Sequence, residues 1–272
     1  MSNWNFSEAA SKDTLLELIK REAAGMFSLV DSDQAWTAPT GAGHWQARDV
    51  LGHLVDTTET YFVGFDAAAG KENPPELVPL TEMAEHVDQG ARALRDVPRT
   101  ELIGRCQADL SKMLGIFNGL SDADWSGLMV PHKYMGPLPA NFYAIFQLVD
   151  YAVHSWDIRQ GTGKPHALAA DSADMLVPLC YVLWSATGRP AAHTNPYQVG
   201  IRITSGANAG EQVVSVGPDG VAVEQGAVDG LPTVIEFDPA SFVLTAYGRT
   251  NAGSVRGDVE LADRFLASFF RI

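Results

Sequence analysis

Cysteine is almost missing from this 272-residue chain, which has only Cys106 and Cys180. Both lie in apolar-periodic segments, Cys106 beside Leu102 and Leu110, Cys180 beside Leu176 and Leu183. Buried structural thiols are therefore expected, not a disulfide or a nucleophile. Positive charge is also scarce: 19 Lys and Arg stand against 33 Asp and Glu, a formal net charge of −14. An acidic surface repels phosphate, which argues against nucleic-acid and anionic-membrane partners. No apolar run approaches membrane-spanning length. The first twenty residues carry acidic side chains and lack the basic and apolar regions of a signal peptide, so a cytoplasmic protein is expected. There is no Gly-x-Ser-x-Gly elbow and no convincing Cys/His nucleophilic pair. The glycine-rich TSGANAG around Gly206 lacks the Lys-Ser/Thr ending of a phosphate loop and reads as a hairpin turn. GTGK at 161–164 reads as a helix terminator.

What is present is a composition 46% hydrophobic and 19% charged, enough for a globular protein with a substantial core and no signal of disorder. Leu15, Leu18, Ile19, Met26 and Leu29 give a first helix between about 7 and 30, with Ser11 or Asp13 as its cap. A loop dense in Gly, Pro, Ser and Thr leads to a second helix over 48–68. Its apolar face holds Val50, Leu51, Leu54, Val55, Phe62 and Phe65, and its polar face holds Asp49, His53, Asp56, Thr57 and Thr60. A proline-rich connection precedes a third helix over 81–96, and a fourth runs from about 100 to 120. Residues 125–139 read as a loop.

The stretch NFYAIFQLVDYAVHSWDIRQ, residues 141–160, organises the chain. Phe142, Ile145, Phe146, Val149, Ala152, Val153 and Trp156 recur at helical spacing, so the segment is a largely buried helix. Gln147, Asp150, His154 and Asp157 form a polar stripe on one side of it. An acid and a histidine at i and i+4 present an oxygen and a nitrogen to one point, which suits a divalent metal such as zinc. A third ligand must come from elsewhere, and His53 is the best candidate. Three protein ligands with a vacant fourth position are the pattern of a catalytic site. Spacing alone leaves a second reading open, in which His53 and His154 are core histidines bonded to nearby carboxylates. Asp157 and Asp56 are candidates for orienting the imidazoles. His44 is placed at the site mouth, and His86, His132, His166 and His193 at surface or pocket-rim positions.

After Arg189 the texture changes. VGIRITSG, EQVVSVG and VAVEQG are β-branched runs separated by turn residues, and 232–237 reads as a further strand. A helix follows, capped by Asp238 with Pro239 at its first position, and a closing helix runs over 258–270. The expected fold class is α+β: a helical bundle over residues 1–165, then a linker helix and a small α+β domain over 166–272.

WQARDVLGHL around His53, VDYAVHSWD with Asp150 and His154, and the tail FVLTAYGRTNAGSVRGDVELADRFLASFF together resemble the mycothiol-dependent maleylpyruvate isomerase family, over nearly the whole chain. The resemblance implies a DinB-like four-helix bundle and a sterol-carrier-like C-terminal domain. It implies a divalent metal, usually zinc, at His53, Asp150 and His154. The acid is normally glutamate in that family and is aspartate here, one methylene shorter. A functional arginine near the C-terminus falls on Arg249, with Arg256 in reserve. Arg249 also has a purely structural reading, as a donor to helix C-terminal carbonyls after Tyr247 and Gly248. Mycothiol or another low-molecular-weight thiol is the implied cofactor. Its thiolate adds to an electrophilic double bond, permits rotation and is eliminated. The implied activity is an isomerase or thiol transferase acting on a small molecule, in a monomer or homodimer. The competing reading is a non-catalytic small-molecule binding protein with a vestigial or structural metal site.

Overall fold

The computed structural model describes residues 4–164, 167–189 and 195–270. The chain forms two compact units, Met1–Ala167 and Leu168–Ile272. Together they make a mixed α+β fold, helical first and then helix with sheet.

The first unit contains α1 (Lys12–Leu29), a single turn α2 (Asp33–Trp36), α3 (Ala47–Ala68), α4 (Met83–Ala93), α5 (Arg99–Gly119), α6 (Asp122–Gly127), the strands β1 (Met129–His132) and β2 (Gly136–Pro139), and α7 (Asn141–Gly161). Helix α1 packs on α7, and α3 packs on α4 and α5 and touches α7. Leu15 and Ile19 of α1 and Ala144, Ile145 and Leu148 of α7 are wholly buried. Burial of each Leu or Ile contributes about 1.5–3 kcal/mol. Two glycines of α3 permit close neighbours. A Cβ on Gly52 would meet the Ala91 carbonyl of α4, and one on Gly64 would meet the Pro131 carbonyl of β1.

The helical periodicity is misleading in two places. The third helix is expected over 81–96, but α4 stops at Ala93 and is preceded by a 3-10 turn at Leu80–Glu82. Pro98 caps α5 and excludes Val97 from helical geometry, so the chain must turn before it. Residues 125–139 are not only loop, because β1 and β2 pair antiparallel with Pro131 opposite Pro137. Proline argues against a strand in the sequence, yet a two-stranded hairpin has outer edges where its missing N–H costs nothing.

The second unit contains α8 (Ala170–Thr187), β3 (Tyr197–Ile203), β4 (Gly210–Gly217), β5 (Gly220–Gln225), β6 (Thr233–Phe237), α9 (Pro239–Ala246), β7 (Ser254–Gly257) and α10 (Val259–Leu266). The sheet order is β5-β4-β3-β6-β7, with β3 and β6 parallel and the other pairs antiparallel. Val199, Ile201, Ile203, Val214 and Val216 are buried in alternation, the pattern of a sheet with one covered face. Trp184 of α8 meets Phe242 and Phe265 edge-on at 4.9 and 5.0 Å. Asp238 caps α9 by accepting from the amides of Ala240 and Ser241.

TSGANAG is the β3–β4 turn, and it docks on α8. The Asp174 carboxylate accepts from the amides of Ala207 at 2.8 Å and Asn208 at 3.0 Å. Pro178 cannot donate to the Asp174 carbonyl one turn earlier, and the Asn208 side-chain amide donates to it instead at 2.8 Å. Gly206, at φ +88°, makes the turn possible. Asp174→Ala would orphan two amides beside a nearly closed site and is expected to cost about 2 kcal/mol. Asn208→Ala should cost about half as much, with both read from chemical denaturation midpoints.

Candidate functional site

Helix α3 begins with a capping box. Asp49 accepts from the Gln46 amide at 2.8 Å and is gripped by Arg95 through two bonds of 2.7 and 2.6 Å. One turn later His53 points inward, 7% exposed. Its Nδ1 is 3.1 Å from the Thr57 hydroxyl. On α7, Asp150 and His154 occupy one stripe, and His154 Nδ1 is 2.9 Å from the carboxylate of fully buried Asp157. Each imidazole thus has its Nδ1 engaged by a neighbour on its own helix.

These side chains converge. His53 Nε2 is 3.5 Å from Asp150 Oδ1, and the two imidazole centroids are 5.1 Å apart at 77°. One donor atom from each of His53, Asp150 and His154 lies within 4.8 Å of the other two. Asp150 Oδ2 is buried without a hydrogen-bond partner. A carboxylate oxygen in that state is costly unless a donor or cation meets it. Two imidazoles and a carboxylate are the ligand set of a borderline divalent cation, so the residues present fit a metal.

The rest of the polar stripe divides its tasks. Gln147 turns to α3, where its amide donates to Thr58 Oγ1 at 3.0 Å, and Asp157 supports His154. Asp56 lies against Gly90 of α4.

A loop covers the cluster. Pro39 bridges to Gln46, and Thr40 bonds the Trp45 carbonyl through both its amide and its hydroxyl. The Gly41 amide donates to the Asp157 carbonyl at 2.8 Å. This closure lays the Trp45 indole against His53 at 5.3 Å and His154 at 5.9 Å. Trp45 Nε1 donates to Asp88 Oδ1 at 2.8 Å, and His44 Nε2 lies 2.8 Å from the same oxygen. Burial, the largest influence on Asp88, raises its pKa. The bonds from Trp45, His44 and Arg92 outweigh it and hold the carboxyl below its ordinary range. Sequence reasoning missed Trp45 and Asp88, since a lone tryptophan in a loop and an acid on an exposed helix carry no spacing signal.

The remaining residues fall elsewhere. His132 corrects its expected surface role: it is 6% exposed and its ring lies within 6 Å of those of Tyr61, Tyr134, Tyr143 and Phe146. Burial pushes its pKa down to about 4. His86 meets Tyr134 edge-on, and His166 and His193 lie outside the described residues. Cys106 and Cys180 are free and buried. Burial pushes the Cys106 thiol up to about 12 and Cys180 higher, so neither supplies a thiolate at neutral pH.

In the second unit, Arg249 follows α9. Its amide donates to the Leu244 carbonyl at 2.8 Å and its Nη1 to the Tyr247 carbonyl at 2.9 Å. Arg256, on β7, is mostly exposed and pairs with Glu236 at 2.9 Å. Among the described residues, no helix is long and apolar enough to cross a membrane.

Among curated proteins none matches the sequence significantly. Two solved structures share the fold over 95% of this chain and 98% of theirs, with a TM-score of 0.62 and 15% identity. They are a mycothiol-dependent maleylpyruvate isomerase and a histidine-to-alanine mutant of a mycothiol-dependent maleylpyruvate isomerase. The model of the mycothiol maleylpyruvate isomerase N-terminal domain matches residues 16–159. That match spans more than half of the sequence and nearly all of the helical unit, and the chain belongs to the mycothiol maleylpyruvate isomerase N-terminal domain family.

Proposed function

We propose that this protein is a metal-dependent enzyme that uses a small thiol, mycothiol or a close relative, as an isomerase or thiol transferase acting on an electrophilic small molecule. The observation that carries the reading is the convergence of His53, Asp150 and His154 within 4.8 Å, with Asp150 Oδ2 buried and unsatisfied. Family membership supports the thiol and the isomerase-like chemistry.

His53 and His154 would hold the ion through Nε2, and Asp150 through a carboxylate oxygen. A divalent ion held there, zinc being the best match to the donor set, would stabilise the thiolate of a small thiol at neutral pH. The chain's own groups prepare that chemistry. Thr57 and Asp157 engage the two Nδ1 atoms and so fix ring orientation and tautomer. Trp45, tied to Asp88, covers the imidazoles on one side and excludes water from them. Arg249 is assigned to a carboxylate of the substrate. Its guanidinium presents N–H donors in a fixed planar fork, and its Nη1 also donates to the Tyr247 carbonyl.

Elemental mass spectrometry of the purified protein tests the reading. About one divalent ion per chain is expected. Chelation should abolish thiol-dependent turnover, and zinc should restore it. Turnover that persists undiminished in fully metal-free protein would end the proposal.

A further inference from the structure

We infer that the tip of the 38–47 loop is a gate over the histidine cluster and that Asp88 is the latch that holds it shut. The inference rests on the proposed function in one respect: a thiol and an electrophile have to reach the cluster. The side chains of His53, Asp150 and His154 are 8%, 15% and 10% exposed, too little for a molecule larger than water to meet their donor atoms. A covering element therefore moves.

Three observations point to the loop tip, residues 40–45. Inwardly it is one body. The Thr40 amide and hydroxyl both donate to the Trp45 carbonyl, the Ala42 amide donates to the Thr40 hydroxyl at 3.1 Å, and the Trp45 amide donates to the Ala42 carbonyl at 3.2 Å. Beneath the tip, the Ala47 amide donates to the Ala38 carbonyl at 3.0 Å and closes a neck. Toward α7 the loop rests on bare backbone. A Cβ on Gly161 would collide with the Pro39 carbonyl, and one on Gly41 would press on Asp157 and Trp156, so the close seat depends on two glycines and not on interlocked side chains. Toward α4 the grip converges on one oxygen, Asp88 Oδ1, which meets both Trp45 Nε1 and His44 Nε2.

Helix α4 stays behind when the tip lifts. Ala91, its one buried residue, abuts Gly52 of α3, and Arg95 just beyond it clamps Asp49. Release of the Asp88 bonds frees the indole from both imidazoles and leaves their Nδ1 partners in place, because Thr57 and Asp157 stand on the same helices as His53 and His154. A self-bonded loop fastened by single hydrogen bonds opens at low free energy, and loops of this kind gate enclosed sites. Asp88 is thus a positioning residue that acts through Trp45.

The test measures access in the full-length, metal-free protein. Diethyl pyrocarbonate acylates unprotonated imidazole nitrogens, and its initial rate at each histidine is read by peptide mass spectrometry. Asp88→Ala should speed modification of His53 and His154 about tenfold, the effect of losing a hydrogen bond to a charged group. His132, buried among Tyr61, Tyr143 and Phe146, should keep its rate. Asp88→Asn, which retains an oxygen for Trp45 Nε1, should give about a threefold increase. Gly161→Ala, which pries the loop from α7, should accelerate the same two histidines. Zinc then separates gating from ligand geometry. In Asp88→Ala, uptake and release to a chelator should quicken by one factor and leave the dissociation constant unchanged, whereas a residue that shapes the metal site would alter the constant. Unchanged rates at His53 and His154 in the folded variants, equal acceleration at His132, or a dissociation constant changed about tenfold would each overturn the gate. Should Asp88→Ala fail to fold, Asp88→Asn and Gly161→Ala still decide. A chain that takes up no zinc ends the proposed function and leaves the histidine rates to judge the gate, so the two readings fail separately.

Discussion

His154→Ala is expected to strip the protein of stoichiometric metal and to reduce thiol-dependent turnover to background. Only His53 and Asp150 remain to bind after the change, and two ligands do not make a catalytic zinc site. Loss of an outer partner of a ligand typically weakens metal affinity about 10–100-fold, and loss of the ligand itself should exceed that. Asp157→Asn provides the graded comparison. It keeps the shape but weakens the acceptor for His154 Nδ1, so it should fall within that 10–100-fold window while retaining metal at saturation. The fold should survive His154→Ala at a cost of about 1–3 kcal/mol, because the fully buried Asp157 carboxylate loses the imidazole beside it. Metal content by elemental mass spectrometry, affinity by chelator competition and helicity by circular dichroism separate these effects. A folded His154→Ala protein that keeps one tightly bound ion per chain would sink the assignment.

The cluster was legible because helices impose a fixed side-chain period. Asp150 and His154 had to share a face, and His53 stood on another helix with its apolar stripe turned inward. The spacing left metal site and satisfied core histidines equally open. In the structure both histidines meet carboxylates, His154 Nδ1 at Asp157 and His53 Nε2 at Asp150, and the orphaned Asp150 Oδ2 is the added feature on which the metal proposal rests; no periodicity contains it. What the sequence withheld depends on long-range closure. Trp45 reaches the imidazoles only because the 38–47 loop folds back on itself and because Asp88, forty-three residues away, accepts its N–H. His132 became a buried residue through the hairpin β1–β2, whose prolines disguise it as loop. In the second unit, β-branched runs and turn residues mark the strands well. The parallel pairing of β3 with β6 does not follow from local pattern, since strand order is settled by which faces the helices cover. Arg249 meets the structural reading that the sequence left open, for its Nη1 bonds the Tyr247 carbonyl just after α9.

Asp49→Ala should give the largest loss of stability among single changes near the cluster. The carboxylate is completely buried, while Arg95 is 29% exposed. Removing one partner of a buried ion pair costs about 3–5 kcal/mol when the other cannot escape. Arg95 can turn toward water, which lowers that figure, whereas loss of the cap on the Gln46 amide adds about 1 kcal/mol. The net expectation is about 3 kcal/mol, or a thermal midpoint lower by about 6–12 °C for a unit of this size. The sign of the pH dependence follows from the carboxyl. Burial raises its pKa, but the Arg95 bond and charge, the Gln46 amide and the Arg48 charge outweigh it, leaving the folded value below the ordinary 3.8. A depressed folded pKa gives stability that is fully present above the unfolded value and is lost as pH falls through the folded one. The difference between wild type and Asp49→Ala should therefore be constant near neutrality and shrink below about pH 4. Asp49→Asn keeps an oxygen for the Gln46 amide and removes the charge, so it should recover the capping share alone. Far-UV circular dichroism melts across pH 3–7 supply the measurement. A midpoint within 2 °C of wild type at pH 7, or a difference that grows on acidification, would show that the Asp49–Arg95 pair does not anchor the helix that carries His53.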